Sequence, residues 1–295
     1  MPEGPEVRTI TLALNKVLSG KTLFSFEWSD NSKYDNMSHI YSVFQQFLPM
    51  TIESVSCKGK RIFITFTRTY MGIDGKEHSI KFYLYNHLKM TGRWTWQPEK
   101  YPKFWMTIGS TKTSITVNDS LDIHIIEKTA YFDDRMNIGS MELLLTEQEY
   151  QVKISELGPD LLTDDIDFST WYTAIKTVSQ NQQICKFLLN QAYFCGIGNY
   201  LKAEILYRSC IRPDRCLKEL TDEDIKILLL QSTTVIREAF TNGGLTIRDY
   251  LDPEGNKGTF QCQVYGQLHD PNGYEVQKYK FKDGRITHWV PQVQV

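Results

Sequence analysis

Apolar residues at Val7, Ile10, Leu12, Leu14, Val17 and Leu18 recur largely at helical spacing, so the chain opens with a predicted helix running from Pro5 to Gly20. Eight short runs rich in β-branched and aromatic residues follow, at 22–28, 51–57, 61–66, 79–85, 91–96, 104–108, 114–117 and 122–127. Gly, Asp and Asn punctuate them, which is the pattern of a sandwich or barrel-like β domain. A short helical pattern at 39–47 interrupts the series.

Near Thr146 the period becomes helical, and Leu157-Gly158-Pro159-Asp160 reads as a boundary turn into a second domain. Helices are predicted at 169–178, 182–193 and 200–209, the last entered directly from the turn Cys195-Gly196-Ile197-Gly198-Asn199. Another starts after Thr221 as N-cap and stops at Gly243-Gly244. The tail returns to strand patterns at 259–265 and 275–282, then a tight Asp283-Gly284 turn into 285–289. The expected organisation is α+β: a β domain with a long N-terminal helix over 1–150, a helical domain over 151–250, and a β-hairpin appendage over 251–295.

Length and composition narrow the class. A chain of 295 residues suits about two domains. It has no apolar run that would span a bilayer and no signal-peptide pattern at its start, so a soluble intracellular protein without a membrane partner is expected. Its six cysteines never form a Cys-x-x-Cys pair, which argues against a zinc site or a disulfide framework. A net charge of -2 is a poor credential for a nucleic-acid binder. The charge is uneven, however: Lys58, Lys60, Arg61, Arg68, Lys76, Lys81, Lys89 and Arg93 cluster between residues 55 and 93, and Lys278, Lys280, Lys282 and Arg285 near the end. Each cluster is either a local positive surface or the solvated face of a strand.

The residues with most chemical promise come first. Loss of Met1 would leave Pro2 as a secondary amine; an α-amino group titrates near pH 8 and condenses with aldehydes. Glu3 is the adjacent proton donor or acceptor. Ordinary capping explains the same residues equally well, since Pro and acids favour a helix's first turn. The glycine turn before residue 200 can present backbone N–H groups to an anion, with Asn199 adding a side-chain donor. Lys60, His87, Lys89 and Arg285 can hold successive phosphates of a strand. Met90 is either core filler or a wedge for the gap left by an extruded base.

Taken together, Pro2-Glu3-Gly4-Pro5-Glu6-Val7, Gly59-Lys60-Arg61, His87-Leu88-Lys89-Met90-Thr91-Gly92, Leu157-Gly158-Pro159-Asp160, Gly196-Ile197-Gly198-Asn199, Arg212-Pro213-Asp214-Arg215 and Asp283-Gly284-Arg285 resemble the formamidopyrimidine-DNA glycosylase and endonuclease VIII family of base-excision repair enzymes. The resemblance spans almost the whole chain. It implies a β-sandwich domain, a helix-two-turn-helix domain and a C-terminal finger, with damaged DNA as the partner and a monomer as the working unit. Pro2 is then the nucleophile, Glu3 the general acid, and Lys60, Asn199 and Arg285 the phosphate ligands around the lesion, with His87 a further phosphate contact. Glu6 and Glu204 belong near the reaction centre, and Glu6 and Arg135 are expected among the DNA contacts.

Two departures from the family pattern stand out. Beyond residue 250 the chain has only Cys262, so the finger is expected to be zincless, held by packing of Tyr265, Tyr279, Phe281 and Trp289, and no metal or cofactor is expected. Where the family often has an Arg-Arg-Phe-Gly loop, this chain reads Phe132-Asp133-Asp134-Arg135-Met136-Asn137-Ile138-Gly139, leaving Arg135 offset from the expected place. The opening Pro-Glu-Gly-Pro looks closer to the endonuclease VIII branch, whereas 246–260 looks closer to the formamidopyrimidine branch. The expected activity is removal of oxidised pyrimidines and formamidopyrimidines by a bifunctional glycosylase and lyase. A catalytically dead DNA-binding protein of the same fold is the alternative, and the intact Pro2, Glu3 and Lys60 argue against it. A small-molecule enzyme with an N-terminal proline would leave the Arg285 hairpin without a purpose.

Overall fold

The computed structural model describes residues 2–29, 38–115, 120–245 and 251–295. Helix α1 (Gly4–Leu18) buries Val7, Ile10, Leu14 and Leu18, the face set by the apolar spacing. It packs on an eight-stranded antiparallel sheet in the order β5-β7-β6-β1-β2-β3-β4-β8. The strands are β1 (Thr22–Trp28), β2 (Met50–Lys58), β3 (Arg61–Met71), β4 (Glu77–His87), β5 (Gly92–Thr95), β6 (Pro102–Ile115), β7 (Ser120–Asp134) and β8 (Ser140–Leu144), with the short helix α2 (Ser38–Phe44) after β1.

The sheet folds over itself into a sandwich-like pair of layers. Phe104, Trp94 and Phe132 from one half share a core with Ile62, Ile64, Phe66, Phe82 and Leu84 from the other. The buried Trp94 indole also donates to Asn86 Oδ1 at 3.0 Å, joining β5 to β4. Two connections close the fold side by side. The link from β4 to β5 and the link from β7 to β8 both cross between the halves, because His87 pairs with Ser140 while Gly92 pairs with Asp134.

Helix α3 (Glu147–Ser155), capped by Thr146, lies across the expected boundary at residue 150 and packs on the sheet through Tyr150 and Ile154. The helical unit begins after it. Helices α4 (Phe168–Thr177), α5 (Ile184–Leu189), α6 (Asn199–Arg208) and α7 (Asp222–Thr241) surround a second core centred on Trp171, Phe187, Leu201 and Ile236. Helix α5 and the turns leading to α6 occupy the span predicted as one helix. Thr221 caps α7 by accepting the Asp224 N–H, and Gly243 and Gly244 end it with left-handed backbone.

The last unit is a hairpin of β9 (Gln277–Lys280) and β10 (Ile286–Trp289). The strand predicted at 259–265 does not form. Its N–H groups at Gln263, Val264 and Tyr265 instead donate to the Glu204 carboxylate at 2.8, 3.0 and 2.8 Å, so they are unavailable to a ladder. The predicted breaks at 108–114 and 127–134 are likewise absent, because β6 and β7 form one long hairpin ladder from Pro102 to Ile115. Strand β8, too short to show a period, was not predicted.

Helix α6 anchors the finger through successive side chains. Asn199 Nδ2 donates to the Ile286 carbonyl at 2.9 Å, Lys202 pairs with Asp283 in the interior, Glu204 holds 263–265, and Tyr207 donates to Asp270 at 2.9 Å. The rings expected to pack there are in contact, with Tyr279 and Trp289 both against Phe281. Among the described residues no group of three or more His, Cys, Asp or Glu is placed to hold a metal ion, and no helix is long and apolar enough to cross a membrane.

Candidate active site

The chain's start docks onto the turn before α6. Gly4 N–H donates to the Gly196 carbonyl at 2.9 Å, and the Glu3 carboxylate lies across the N-terminus of α6. It accepts from Gly198 N–H at 2.6 Å, Tyr200 N–H at 2.9 Å and Leu201 N–H at 3.3 Å. Four orphan N–H groups open any helix; here a carboxylate 195 residues away satisfies three of that turn's donors. Gly198 is required by close approach, since a Cβ there would lie 2.2 Å from the Glu3 carboxyl carbon.

Glu6 supports this placement. One oxygen accepts the Glu3 N–H at 2.7 Å, and the other accepts Tyr200 Oη–H at 2.8 Å and Leu245 N–H at 2.7 Å. At 2 % exposure it is an interior strut. The expectation that Glu6 touches DNA is therefore corrected: a buried carboxylate bonded on both oxygens has no face left for a phosphate, and like charge would repel one. Glu204, expected near the reaction centre, instead organises the backbone of the finger.

Lys60 reaches the same turn from the sheet. Gly59, in left-handed conformation, brings its own backbone against Cys195, and its N–H donates to Asp160 Oδ2 at 2.7 Å. Lys60 Nζ donates to the Ile197 carbonyl at 2.5 Å, which also accepts from Gln191 Nε2 at 2.9 Å. Asp160 was named from the sequence only as part of a turn motif, without a role, and Gln191 was not named at all. Asp160 had a visible signal in its Leu-Gly-Pro-Asp turn; Gln191 had none.

Electrostatics follow from this crowding. Burial pushes the Glu3 carboxyl up to about 7, against the opposing pull of the Lys60 ammonium and the Tyr200 and Leu201 N–H groups. Burial likewise lowers Lys60 to about 8, with Glu3 working to raise it and the nearby Arg285 guanidinium lowering it further. Arg285 is exposed at the hairpin tip. Asn199, the first residue of α6, has one amide proton engaged with Ile286, the chain neighbour of Arg285.

His87 stands at the end of β4. Burial first, then Lys89, Lys60 and Arg61, hold its imidazole down at about 3. Its Nδ1 accepts the Lys89 N–H at 3.0 Å, so the remaining proton sits on Nε2 and His87 is a neutral donor. Met90 projects from the following turn at 52 % exposure, which places it at the surface and not in the core. Arg135 is exposed on the adjoining β7–β8 connection.

The first basic cluster is partly neutralised and partly anchored. Arg61 pairs with Glu156, Lys81 with Glu53 and Arg93 with Glu99, while Lys58 and Arg68 donate to the Leu157 and Pro49 carbonyls. Lys278, Lys280, Lys282 and Arg285 of the hairpin remain exposed.

Known proteins agree with this architecture. Residues 1–135 match the formamidopyrimidine-DNA glycosylase N-terminal domain, and residues 157–250 match the formamidopyrimidine-DNA glycosylase H2TH domain. A formamidopyrimidine-DNA glycosylase of an Exiguobacterium species is 29% identical over 300 residues, covering 100% of this chain and 99% of the relative. One from Bacillus subtilis is 27% identical over 308 residues, with the same coverage. The Lactococcus lactis Fpg in complex with DNA containing an abasic site superimposes with a TM-score of 0.78 at 25% identity, over 99% of both chains. From the N-terminal sheet, through the helix-two-turn-helix, to whole-length likeness, the chain belongs to the formamidopyrimidine-DNA glycosylase and endonuclease VIII family of DNA-repair glycosylases.

Proposed function

We propose that this protein excises oxidised bases, among them formamidopyrimidines and oxidised pyrimidines, and nicks the strand through a Schiff base on Pro2. The observation that supports the reading is the docking of Glu3, the chain neighbour of Pro2, on the α6 N-terminus, in the turn whose Ile197 carbonyl Lys60 also reaches.

After loss of Met1, the Pro2 amine attacks C1′ of a flipped-out nucleotide while the base departs with a proton. With its carboxyl held up to about 7, Glu3 is partly protonated near neutrality and able to supply that proton or one for sugar ring opening. The iminium on C1′ acidifies the C2′ protons, and successive eliminations expel the 3′ and then the 5′ phosphate. Lys60, Asn199, Arg285 and the neutral Nε2–H of His87 are the phosphate donors, Met90 enters the vacated stack, and Arg135 lies at the duplex edge. No step calls for a metal or diffusible cofactor.

The test is borohydride trapping on an oligonucleotide with an abasic site. A covalent adduct lost in Pro2→Gly supports the proposal, whereas binding without any adduct would favour a catalytically dead binder of the same fold.

A further inference from the structure

The turn Gly196-Ile197-Gly198 carries contacts of both Glu3 and Lys60. Its first carbonyl accepts Gly4 N–H at 2.9 Å, its second accepts from Lys60 Nζ at 2.5 Å, and its Gly198 N–H donates to the Glu3 carboxylate at 2.6 Å. Gly196 has a left-handed φ of 106°. With glycine at two of its three positions, the turn has little conformational preference of its own. A group outside it must fix where these donors and acceptors point.

Gln191 meets that need. Its Oε1 accepts the Gly196 N–H at 3.1 Å, while its Nε2 donates to the Ile197 carbonyl and to the Leu189 carbonyl, both at 2.9 Å. Only one orientation of the amide satisfies this set, because an N–H lies at one end and two carbonyls at the other. The Ile197 oxygen takes one hydrogen bond from Gln191 and one from Lys60, which uses both of its lone pairs. The Gln191 carbonyl in turn accepts the Gly158 N–H at 2.9 Å, tying this brace to the boundary between the domains.

We infer that Gln191 is a positioning residue: by bracing the Gly196–Ile197 peptide it sets how Lys60 and Glu3 stand to each other across the turn. This role rests on the reading that Pro2, Glu3 and Lys60 do the chemistry. Gln191 acts through the turn and transfers no proton itself.

The experiment uses the full chain with Gln191→Met, which keeps the length and loses the amide, under excess abasic-site duplex and borohydride. The rate constant of adduct formation should fall about tenfold or more, while the final trapped fraction and the DNA affinity stay within about twofold. A purely architectural side chain would do the opposite, lowering the trapped fraction as molecules unfold and leaving the folded ones fast. That outcome, or an unaltered rate constant, overturns the proposal.

Gln191→Glu tests the donor alone and serves if the Met variant does not fold. Ionised, it turns an oxygen toward the Leu189 and Ile197 carbonyls; protonated, it donates to one of them. The charged and titratable groups around the turn are Lys58, Lys60, Glu3, Asp160, Asp164 and Cys195, all shared with the unaltered protein. Relative to that protein at the same pH, the rate constant should be lower at about pH 8 than at about pH 6. An equal ratio at both overturns the proposal.

Amide exchange at Gly196 and Gly198 in the DNA-free protein decides the brace without any chemistry, and Gln191→Met should speed it about fivefold or more. Faster exchange with no adduct from either protein sinks the Schiff-base reading and supports the brace. Unchanged exchange sinks the brace, whatever the trapping shows.

Discussion

The Glu3 carboxylate accepts the Tyr200 N–H at 2.9 Å, so the third residue of the chain caps a helix that begins at Asn199. This contact fixes where Pro2 sits relative to the helical domain, and it makes the site depend on groups from both ends of the fold.

Gly198 is the position most sensitive to a single methyl group. In Gly198→Ala the new Cβ would fall 2.2 Å from the Glu3 carboxyl carbon, so the carboxylate must give way. Displacing Glu3 should reduce borohydride trapping by about a hundredfold or more while circular dichroism stays native. Undiminished trapping would show that Glu3 need not lie on α6.

The pH dependence of the two chemical stages should differ. Glu3, held up to about 7 by burial, carries its proton below that pH and loses it above. Base release should therefore fall as pH rises from about 6 to about 8, whereas trapping at a preformed abasic site, with no base to expel, should hold or rise as the Pro2 amine deprotonates. In Glu3→Gln the difference between the two profiles should vanish. Parallel profiles in the unaltered protein would remove Glu3 as the acid for base loss.

The Lys202–Asp283 pair, with side chains 0% and 1% exposed, tests how the finger is held. Asp283→Ala strands a buried ammonium and should cost about 3–5 kcal/mol, seen as a lower Tm or as early proteolysis near the hairpin. Arg285 N–H also loses its acceptor, Asp283 Oδ1 at 3.0 Å, so DNA affinity should fall too. Replacing both partners, Lys202→Met with Asp283→Leu, should recover most of the stability; a double variant as unstable as the single one would refute the ion-pair account.

Arg285 itself is exposed, so Arg285→Ala should leave Tm unchanged. Its loss should weaken DNA binding and lower the salt slope of the affinity by about one. Unchanged affinity and slope would take Arg285 out of the interface.

The finger is anchored by protein groups on α6 and by Gln183 and Ile211, so dialysis against a chelator should leave Tm and trapping unaltered. A fall in either on chelation would point to a bound ion.

Much of the architecture was legible because it follows from short-range rules. The α1 face, the β1 span, the Thr221 cap and the Gly243-Gly244 stop each reflect local backbone preference or side-chain period. The sequence also carried Pro2, Glu3, Lys60, Asn199 and Arg285 as candidates, through motif pieces in a fixed order. It misled where a remote side chain overrode local pattern: residues 259–265 look like a strand, but the Glu204 carboxylate takes their N–H groups. Likewise Arg61, Lys81 and Arg93 look like part of a positive face until Glu156, Glu53 and Glu99 are brought beside them.

What the sequence determined alone was therefore the inventory: which helices and strands can form, and which residue types are present to do chemistry. Only the tertiary structure decided that Glu3 lies on α6, that Glu6 is interior and that His87 is neutral. Periodicity and capping act over a few residues. Proton affinity and complementarity depend on burial and on atoms brought close from nearly two hundred residues away, which no local pattern encodes.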